Sequence, residues 1–295
     1  MKDIKNERRK PLPPLNIYRG GVLMDIKELQ RKSVEIRKDI LKVIYEAQSG
    51  HPGGSLSAVE ILLALYKERM KYDPKNPKWE ERDRFIMSKG HATPVLYTVL
   101  SDAGFFPKEE LSGFRKFGKM LQGHAYRNIP GVELSTGSLG MGLSVGVGMA
   151  LASNLKKSSY NVFVLMGDGE IQEGSVWEAA MSAGHHKLSN LCAIIDYNKV
   201  QENGFVNEIK NLEPLGERWK SFNWNVIEID GHDFDDIFRA LDDFMVEKGR
   251  PTVIIANTVK GKGIDFMEYD NNWHGKAPNT DQYLEALLQL DNSKD

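Results

Sequence analysis

Two hydrophobic rhythms divide the chain. In the first half apolar positions recur at helical spacing. Ser57 and Glu60 make a capping-box pair, and Val59, Leu62, Leu63 and Tyr66 fall three and four apart on one face. A first helix is expected from about Ile26, and Pro74 and Pro77 punctuate the chain after the second. The second half changes to short runs rich in Val and Ile at 161–166, 191–196, 225–230 and 252–257, with a stretch of helical length at 175–186 between the first two. Strands apolar at every position, alternating with helices, must be covered on both faces. The fold class predicted is α/β, a parallel sheet flanked by helices on both faces. No repeat, low-complexity block or linker interrupts residues 25–295, which are expected to form a single domain. An N-terminal arm, residues 1–24, precedes it, and its Pro11-Leu-Pro-Pro14 run favours extended chain.

From 134 to 155 no residue is charged, and Gly142 and Gly146 form a small-xxx-small pair of the kind that lets membrane helices pack. Glycine and serine dilute the segment below the ~20 predominantly apolar residues that a span needs. It is expected instead to be a helix buried inside a soluble protein, at a subunit contact. Charges scattered through the first 24 residues leave no signal-peptide core. In 295 residues, 39 Lys+Arg against 41 Asp+Glu leave a formal charge of −2, without the basic excess of a nucleic-acid binder. A hydrophobic share of 41% suffices for a full core and runs against disorder. The single cysteine, Cys192, precludes an intramolecular disulfide and suits a reducing, cytoplasmic compartment.

Open parallel sheets bind ligands beyond the carboxyl ends of their strands, so the residues that follow the apolar runs are the first candidates. Run 161–166 leads into Gly167-Asp168-Gly169-Glu170, and run 191–196 into Tyr197-Asn198-Lys199-Val200. A carboxylate, an amide oxygen and a main-chain carbonyl are hard donors, suited to Mg2+ or Ca2+ rather than zinc. Glycines beside Asp168 let the backbone approach a bulky ligand. An octahedral Mg2+ with so few protein ligands would complete its shell from phosphate oxygens and water. The pattern suggests a metal-bridged diphosphate, although Gly-Asp-Gly by itself reads as a tight turn.

Five of the seven histidines (51, 91, 124, 185 and 232) follow a glycine and His274 precedes one, so glycine-bordered loops present most of them. Such a histidine can hydrogen-bond phosphate or move protons near neutral pH. His185 and His186, within a helix, and His232, in a turn, read as structural. Zinc is rejected, because His185-His186 lacks HExxH spacing and there is no thiolate cluster. Cys192 lies in an apolar strand, where a thiol is inert. Gly142-Leu-Ser144-Val-Gly146 matches the GxSxG pattern of serine hydrolases, but that pattern needs a strand before the serine. It is read as packing. No Walker phosphate loop is present.

Seven stretches, in this order, resemble the N-terminal, diphosphate-binding part of transketolase, a thiamine diphosphate enzyme. They are Ser49-Gly-His-Pro-Gly-Gly-Ser55, Ser88-Lys-Gly-His-Ala92, Gly123-His-Ala125, Ser135-Thr-Gly-Ser-Leu-Gly-Met-Gly142, Gly167-Asp-Gly-Glu-Ile-Gln-Glu-Gly174, Asp196-Tyr-Asn198 and Trp273-His-Gly275. The resemblance implies the thiamine diphosphate-binding fold. It also implies Asp168, Asn198 and the Val200 carbonyl as Mg2+ ligands, and Gly169, His91 and His274 as diphosphate contacts. Gly137, Ser138 and Leu139 would form the loop beneath the cofactor rings. Glu173 resembles a buried acid linking cofactor sites across the dimer. His51, His91, His124 and His274 resemble the histidines around the donor ketose. Transketolases commonly carry Pro-Glu after the histidine matching His124, where this chain has Ala125-Tyr126.

In the family the glutamate that hydrogen-bonds the aminopyrimidine ring comes from a further, pyrimidine-binding domain. The resemblance therefore implies the N-terminal subunit of a split transketolase, completed by a C-terminal subunit in an α2β2 heterotetramer. Together they would pass a two-carbon ketol group between sugar phosphates, the chemistry of pentose phosphate interconversion. Other readings remain: the α subunit of a thiamine diphosphate-dependent 2-oxo acid dehydrogenase, a non-catalytic cofactor-binding subunit, and a relation to 1-deoxyxylulose-5-phosphate synthase, which fits the same elements less well. The Ser88-Lys-Gly-His and Gly-His-Pro-Gly elements speak for transketolase.

Overall fold

The computed structural model describes residues 24–292. All but Met24 of the expected N-terminal arm lies outside the described residues. The first helix, α1 (Ile26–Ala47), ends where Gln48 turns left-handed at φ 48°. Two short helices follow, α2 (Pro52–Leu56) and α3 (Val59–Ala64). Ser57 and Glu60 do not form the capping box their spacing predicts: Ala58 is the N-cap residue of α3 and no side chain caps it. Ser57 Oγ donates to Asp196 at 2.6 Å, and Glu60 binds Arg37 at 2.6 and 2.8 Å. Charge-assisted bonds to distant buried groups outcompete the local cap.

Next come β1 (Arg84–Met87) and α4 (Thr93–Asp102), then α5 (Gly142–Lys156), β2 (Val162–Gly167), α6 (Gly174–His185) and β3 (Leu191–Tyr197). A small hairpin, β4 (Val200–Gln201) with β5 (Gly204–Phe205), leads through α7 (Val206–Ile209) and α8 (Leu215–Ser221) to β6 (Asn225–Asp230). The chain closes with α9 (Phe234–Val246), β7 (Thr252–Asn257) and α10 (Thr280–Asn292). The four apolar runs thus become β2, β3, β6 and β7. The sequence reading missed β1, a four-residue edge strand too short for a periodic signal.

The main sheet has five parallel strands in the order β1-β2-β3-β7-β6. Side chains alternate across a strand, and here both faces are buried. Phe163, Leu165, Cys192 and Ile194 pack with the α1, α3, α4 and α9 core, whereas Val164, Met166, Ala193 and Ile195 pack with α5, α6 and α8. Strand order reverses between β3 and β7, and in open sheets the ligand crevice opens at such a point.

The uncharged segment 134–155 is helical only from Gly142, and Leu155 is exposed. Its glycines serve contact with the sheet. A Cβ at Gly142 would lie 2.2 Å from Ser88 Oγ, and one at Gly146 would lie 2.6 Å from Val164 Cγ2. Ser144 sits inside α5 with no strand before it, so no nucleophile elbow exists. Among the described residues no helix is long and apolar enough to cross a membrane.

A buried ion pair ties the helical layer to the sheet. Arg37 of α1 grips Glu60 of α3, and its Nε donates to the Lys262 carbonyl at 3.1 Å. His232, after β6, meets Glu60 through Nδ1 at 2.9 Å and accepts the Val259 N–H through Nε2 at 2.9 Å. Burial alone would raise the Glu60 carboxyl, but Arg37 and His232 hold it at about 2. Replacing Arg37→Met strands that carboxylate, and breaking a buried pair costs about 3–5 kcal/mol. Urea denaturation is expected to show a loss of that size.

Candidate functional site

Parallel register builds the centre of the site. Gly167 of β2 lies opposite Asp196 of β3, so the chain leaves both strands at the same level. Asp168 comes first after β2 and Asn198 first after β3. Asp168 accepts the Lys199 N–H at 2.5 Å and the Gly169 N–H at 2.7 Å, so its carboxylate lies directly against the Asn198–Val200 loop. Asn198 Oδ1 accepts the Val200 N–H at 3.2 Å, and its Nδ2 donates to Asp196 at 3.1 Å. The Val200 carbonyl accepts from Lys260 Nζ at 2.9 Å. The residues of the three expected oxygen donors therefore lie in adjoining loops at the carboxyl ends of β2 and β3.

Asp168 and Asn198 are both buried. Burial, and then the neighbouring Asp196 charge, raise the Asp168 carboxyl to about 6, against the two N–H bonds that lower it. Asp196 goes the other way. Burial would raise it, but Lys89, Ser57 and Thr258 all donate to it and hold it below the usual range. Among the described residues no group of three or more His, Cys, Asp or Glu is arranged to hold a metal ion. The donor set is instead one carboxylate, one amide and one main-chain carbonyl, which suits a hard cation. A carboxylate that burial disfavours in its charged form is relieved by such a cation.

Four of the histidines converge beside this centre. His51 is central, with ring centroids 5.0 Å from His91, 6.4 Å from His124 and 5.5 Å from His274, while His91 and His274 are 5.1 Å apart. All four are less basic than a free imidazole, burial being the largest cause for each. Next to burial, Arg115 acts on His51 (about 4) and His124, Lys89 on His91, and Lys260 on His274 (about 3). The cluster is therefore polar and uncharged at neutral pH. His185 and His186 stand exposed at the end of α6, and His232 belongs to the brace described above.

The 135–140 loop forms a wall. Thr136 Oγ1 donates to the Met87 carbonyl at 2.7 Å, and a Cβ at Gly137 would meet the His124 ring at 3.4 Å. Gly137, Ser138 and Leu139 are exposed. Gly140, at φ 83°, approaches Glu173 so closely that a Cβ would lie 2.7 Å from its Cβ. The expected buried acid, Glu173, is exposed on this chain, where it is the N-cap residue of α6 and lies beside that loop. The buried acid here is Glu170, which accepts from Ser88 and from the Gly140 and Gly167 N–H groups at 3.0 and 3.1 Å. Gly169 abuts β4, where its Cβ would lie 3.0 Å from Gln201. A cleft of about 560 Å³ runs along Gln122, Gly123, His124, Ala125 and Tyr126.

Sequence reasoning missed Lys260, Lys89 and Arg115. Lys260 bridges the Val200 carbonyl and His274 Nδ1 (3.0 Å), and burial lowers its basicity to about 8. It follows β7 in Thr258-Val-Lys-Gly-Lys-Gly263, so its place at a strand's carboxyl end was a usable signal.

Over residues 30–290 the chain matches the family described as transketolase, thiamine diphosphate binding domain. The chain belongs to this transketolase family. It is 43% identical over 267 residues to an apulose-4-phosphate transketolase subunit of Phocaeicola vulgatus, a match that covers 90% of this chain and 95% of that one. It is 43% identical over 265 residues to "6-deoxy-6-sulfo-D-fructose transketolase subunit SqwG" of Clostridium sp. strain MSTE9, covering 90% and 96%. Human transketolase is 38% identical over 265 residues, but these are 90% of this chain and only 42% of that one. The crystal structure of Campylobacter jejuni transketolase superposes with a TM-score of 0.86 at 33% identity, over 91% of this chain and 43% of the other. The chain thus spans the length of the subunits and about two fifths of the full transketolases.

The raised Asp168 carboxyl makes a prediction for the metal-free protein. A group whose folded pKa lies above its unfolded value stabilises the fold at low pH, and that contribution is lost as pH rises through about 6. The stability of Asp168→Asn relative to wild type is expected to improve by ~2 kcal/mol between pH 4 and pH 7. Urea titrations in a chelator measure it.

Proposed function

We propose that this chain is the diphosphate-binding subunit of a two-chain transketolase. With a C-terminal subunit carrying the pyrimidine-binding domain, it transfers a two-carbon ketol group from a ketose phosphate to an aldose phosphate. The observation that supports this best is the convergence of four uncharged histidines beside Asp168, Asn198 and the Val200 carbonyl at the reversal of strand order. The length match to proteins named as transketolase subunits, against two fifths of full transketolases, supports the split arrangement.

In this reading Asp168, Asn198 and the Val200 carbonyl would hold Mg2+ or Ca2+, and Gly169, His91, His274 and Lys260 would hold the diphosphate. Gly137, Ser138 and Leu139 would lie beneath the rings. Bound thiamine diphosphate supplies an electron sink for the two-carbon fragment. The chain's own part is binding and orientation. Each neutral imidazole offers one N–H and one lone pair, so His51, His91, His124 and His274 can hydrogen-bond sugar hydroxyls while carrying no charge of their own. Glu173 and the exposed Leu139 and Met141 would face the partner in an α2β2 assembly. The buried thiol of Cys192 suits the cytoplasm. Neither the motif set nor the named relatives favour a 2-oxo acid dehydrogenase α subunit.

Purified chain and second subunit, with Mg2+, thiamine diphosphate, a ketose phosphate and an aldose phosphate, are expected to transfer the ketol group. Neither chain alone should do so. Decarboxylation of a 2-oxo acid without ketol transfer overturns the reading, as does strong turnover by this chain by itself. Asp168→Ala is expected to weaken metal-dependent cofactor binding at least ~10-fold. Because the metal needs the ionised carboxylate, Mg2+ affinity should be level above pH ~6 and fall about tenfold per unit below it. Calorimetric titration of the cofactor–metal pair checks both.

A further inference from the structure

Arg115 has no role in the reading above, yet it touches the centre of the histidine cluster. It follows the turn at Lys108–Gly113 and is held at φ 55°, an uncommon value for a side-chain-bearing residue. Its Nη1 donates to Ser49 Oγ at 2.6 Å. Its Nη2 reaches the Gly123 carbonyl at 3.4 Å and His51 Nδ1 at 3.5 Å. The guanidinium lies against the main chain just before His124. A Cβ at Gly123 would come within 2.7 Å of Arg115 Nε, so only glycine admits the contact. One side chain therefore ties the loop carrying His51 to the loop carrying His124.

We propose that Arg115 is a positioning residue that fixes His51 as the tautomer protonated on Nε2. The inference rests on the transketolase reading for its consequence but not for its geometry. A guanidinium carries only donors and does not lose its proton in a protein. The ring nitrogen facing it must present a lone pair, which leaves the single proton of a neutral imidazole on Nε2. Burial and the Arg115 charge both keep the ring neutral. On its far side Nε2 faces Gly275, where even an added Cβ would stay 3.5 Å away. His274 is arranged in the same way, with Lys260 Nζ 3.0 Å behind its Nδ1. Two rings of the cluster thus have a cation at the back. At a substrate oxygen, His51 is a hydrogen-bond donor through Nε2–H, and that proton stays on the ring.

The test uses the full chain labelled with 15N at histidine. Long-range 1H–15N correlations distinguish Nε2–H from Nδ1–H rings, and His51→Gln assigns the signal. The expected wild-type pattern for His51 is Nε2–H. Arg115→Met should give a mixed or Nδ1–H pattern, and Arg115→Lys, which keeps a donor, should restore Nε2–H. In the two-chain enzyme Arg115→Met should lower kcat about tenfold or more while cofactor affinity stays within twofold, with partial recovery in Arg115→Lys. A wild-type Nδ1–H ring overturns the proposal, and so does an Arg115→Met variant with unchanged tautomer and kcat. If Arg115→Met does not fold, Arg115→Leu takes its place in the same spectra, and an unchanged Nε2–H ring with unchanged kcat there overturns the proposal. If the tautomer follows Arg115 but the pair transfers no ketol group, it is the functional reading that fails.

Discussion

The alignment of two parallel strands is the constraint on which the site depends. With Leu165 opposite Ile194 and Gly167 opposite Asp196, β2 and β3 end together and deliver Asp168 and Asn198 to one spot. A slip of one residue would turn every side chain of a strand to the other face. Both faces are buried, so the apolar packing that stabilises the sheet also enforces this register. The cost appears in the charges. Asp168 and Asp196 are buried near each other, and only Asp196 has a direct cation partner, in Lys89. Asp168 keeps main-chain N–H groups alone and is raised in consequence. Stability is given up where a ligand would be held, as at other preorganised sites.

The histidine cluster applies the opposite electrostatics. Imidazoles crowded at 5.0–6.4 Å between ring centroids repel one another when protonated. Lys89, Lys260 and Arg115 surround them, and each lowers the basicity of at least one ring. The result is a cluster of rings rich in hydrogen-bonding atoms and uncharged at neutral pH. Fixed cations at the rear supply positive potential for an anionic ligand, while the rings in front sort hydroxyl groups without changing charge. This division of labour between lysine, arginine and histidine is a property of the folded arrangement and not of any one loop.

How far the sequence could be read follows from the range of the interactions. Strands buried on both faces announce themselves as apolar runs, so β2, β3 and β7 were readable to within a residue or two, and the edge strand β6 was readable from its Val226, Ile227 and Ile229. Gly167-Asp168-Gly169 and Asn198 were readable because they follow those runs. Ser57 and Glu60 misled because their partners, Asp196 and Arg37, are 139 and 23 residues away. The glycines of 142–146 were read as small residues, but nothing local said that the neighbour was the sheet. Arg115 left no trace at all, since its contacts with Ser49, His51 and Gly123 exist only after three loops meet.

The same geometry explains why one chain can hold so much of a site and still present an open wall. The charged groups at its centre are heavily partnered: Glu170 has three donors, Asp196 has four, and Lys260 is bound on three sides. What faces outward has a different character. Gly137, Ser138 and Leu139 are exposed, Met141 continues their edge, and Glu173 stands beside Gly140 with its carboxylate in solvent. Glu173 occupies the N-cap position of α6, where a negative charge is favoured by the helix dipole. An acid held at a helix end, on the rim of an apolar edge, carries the electrostatics of a seam. In the two-chain reading proposed above, this rim is the face that a second subunit would cover, and the inward-facing polar groups would be left as they are.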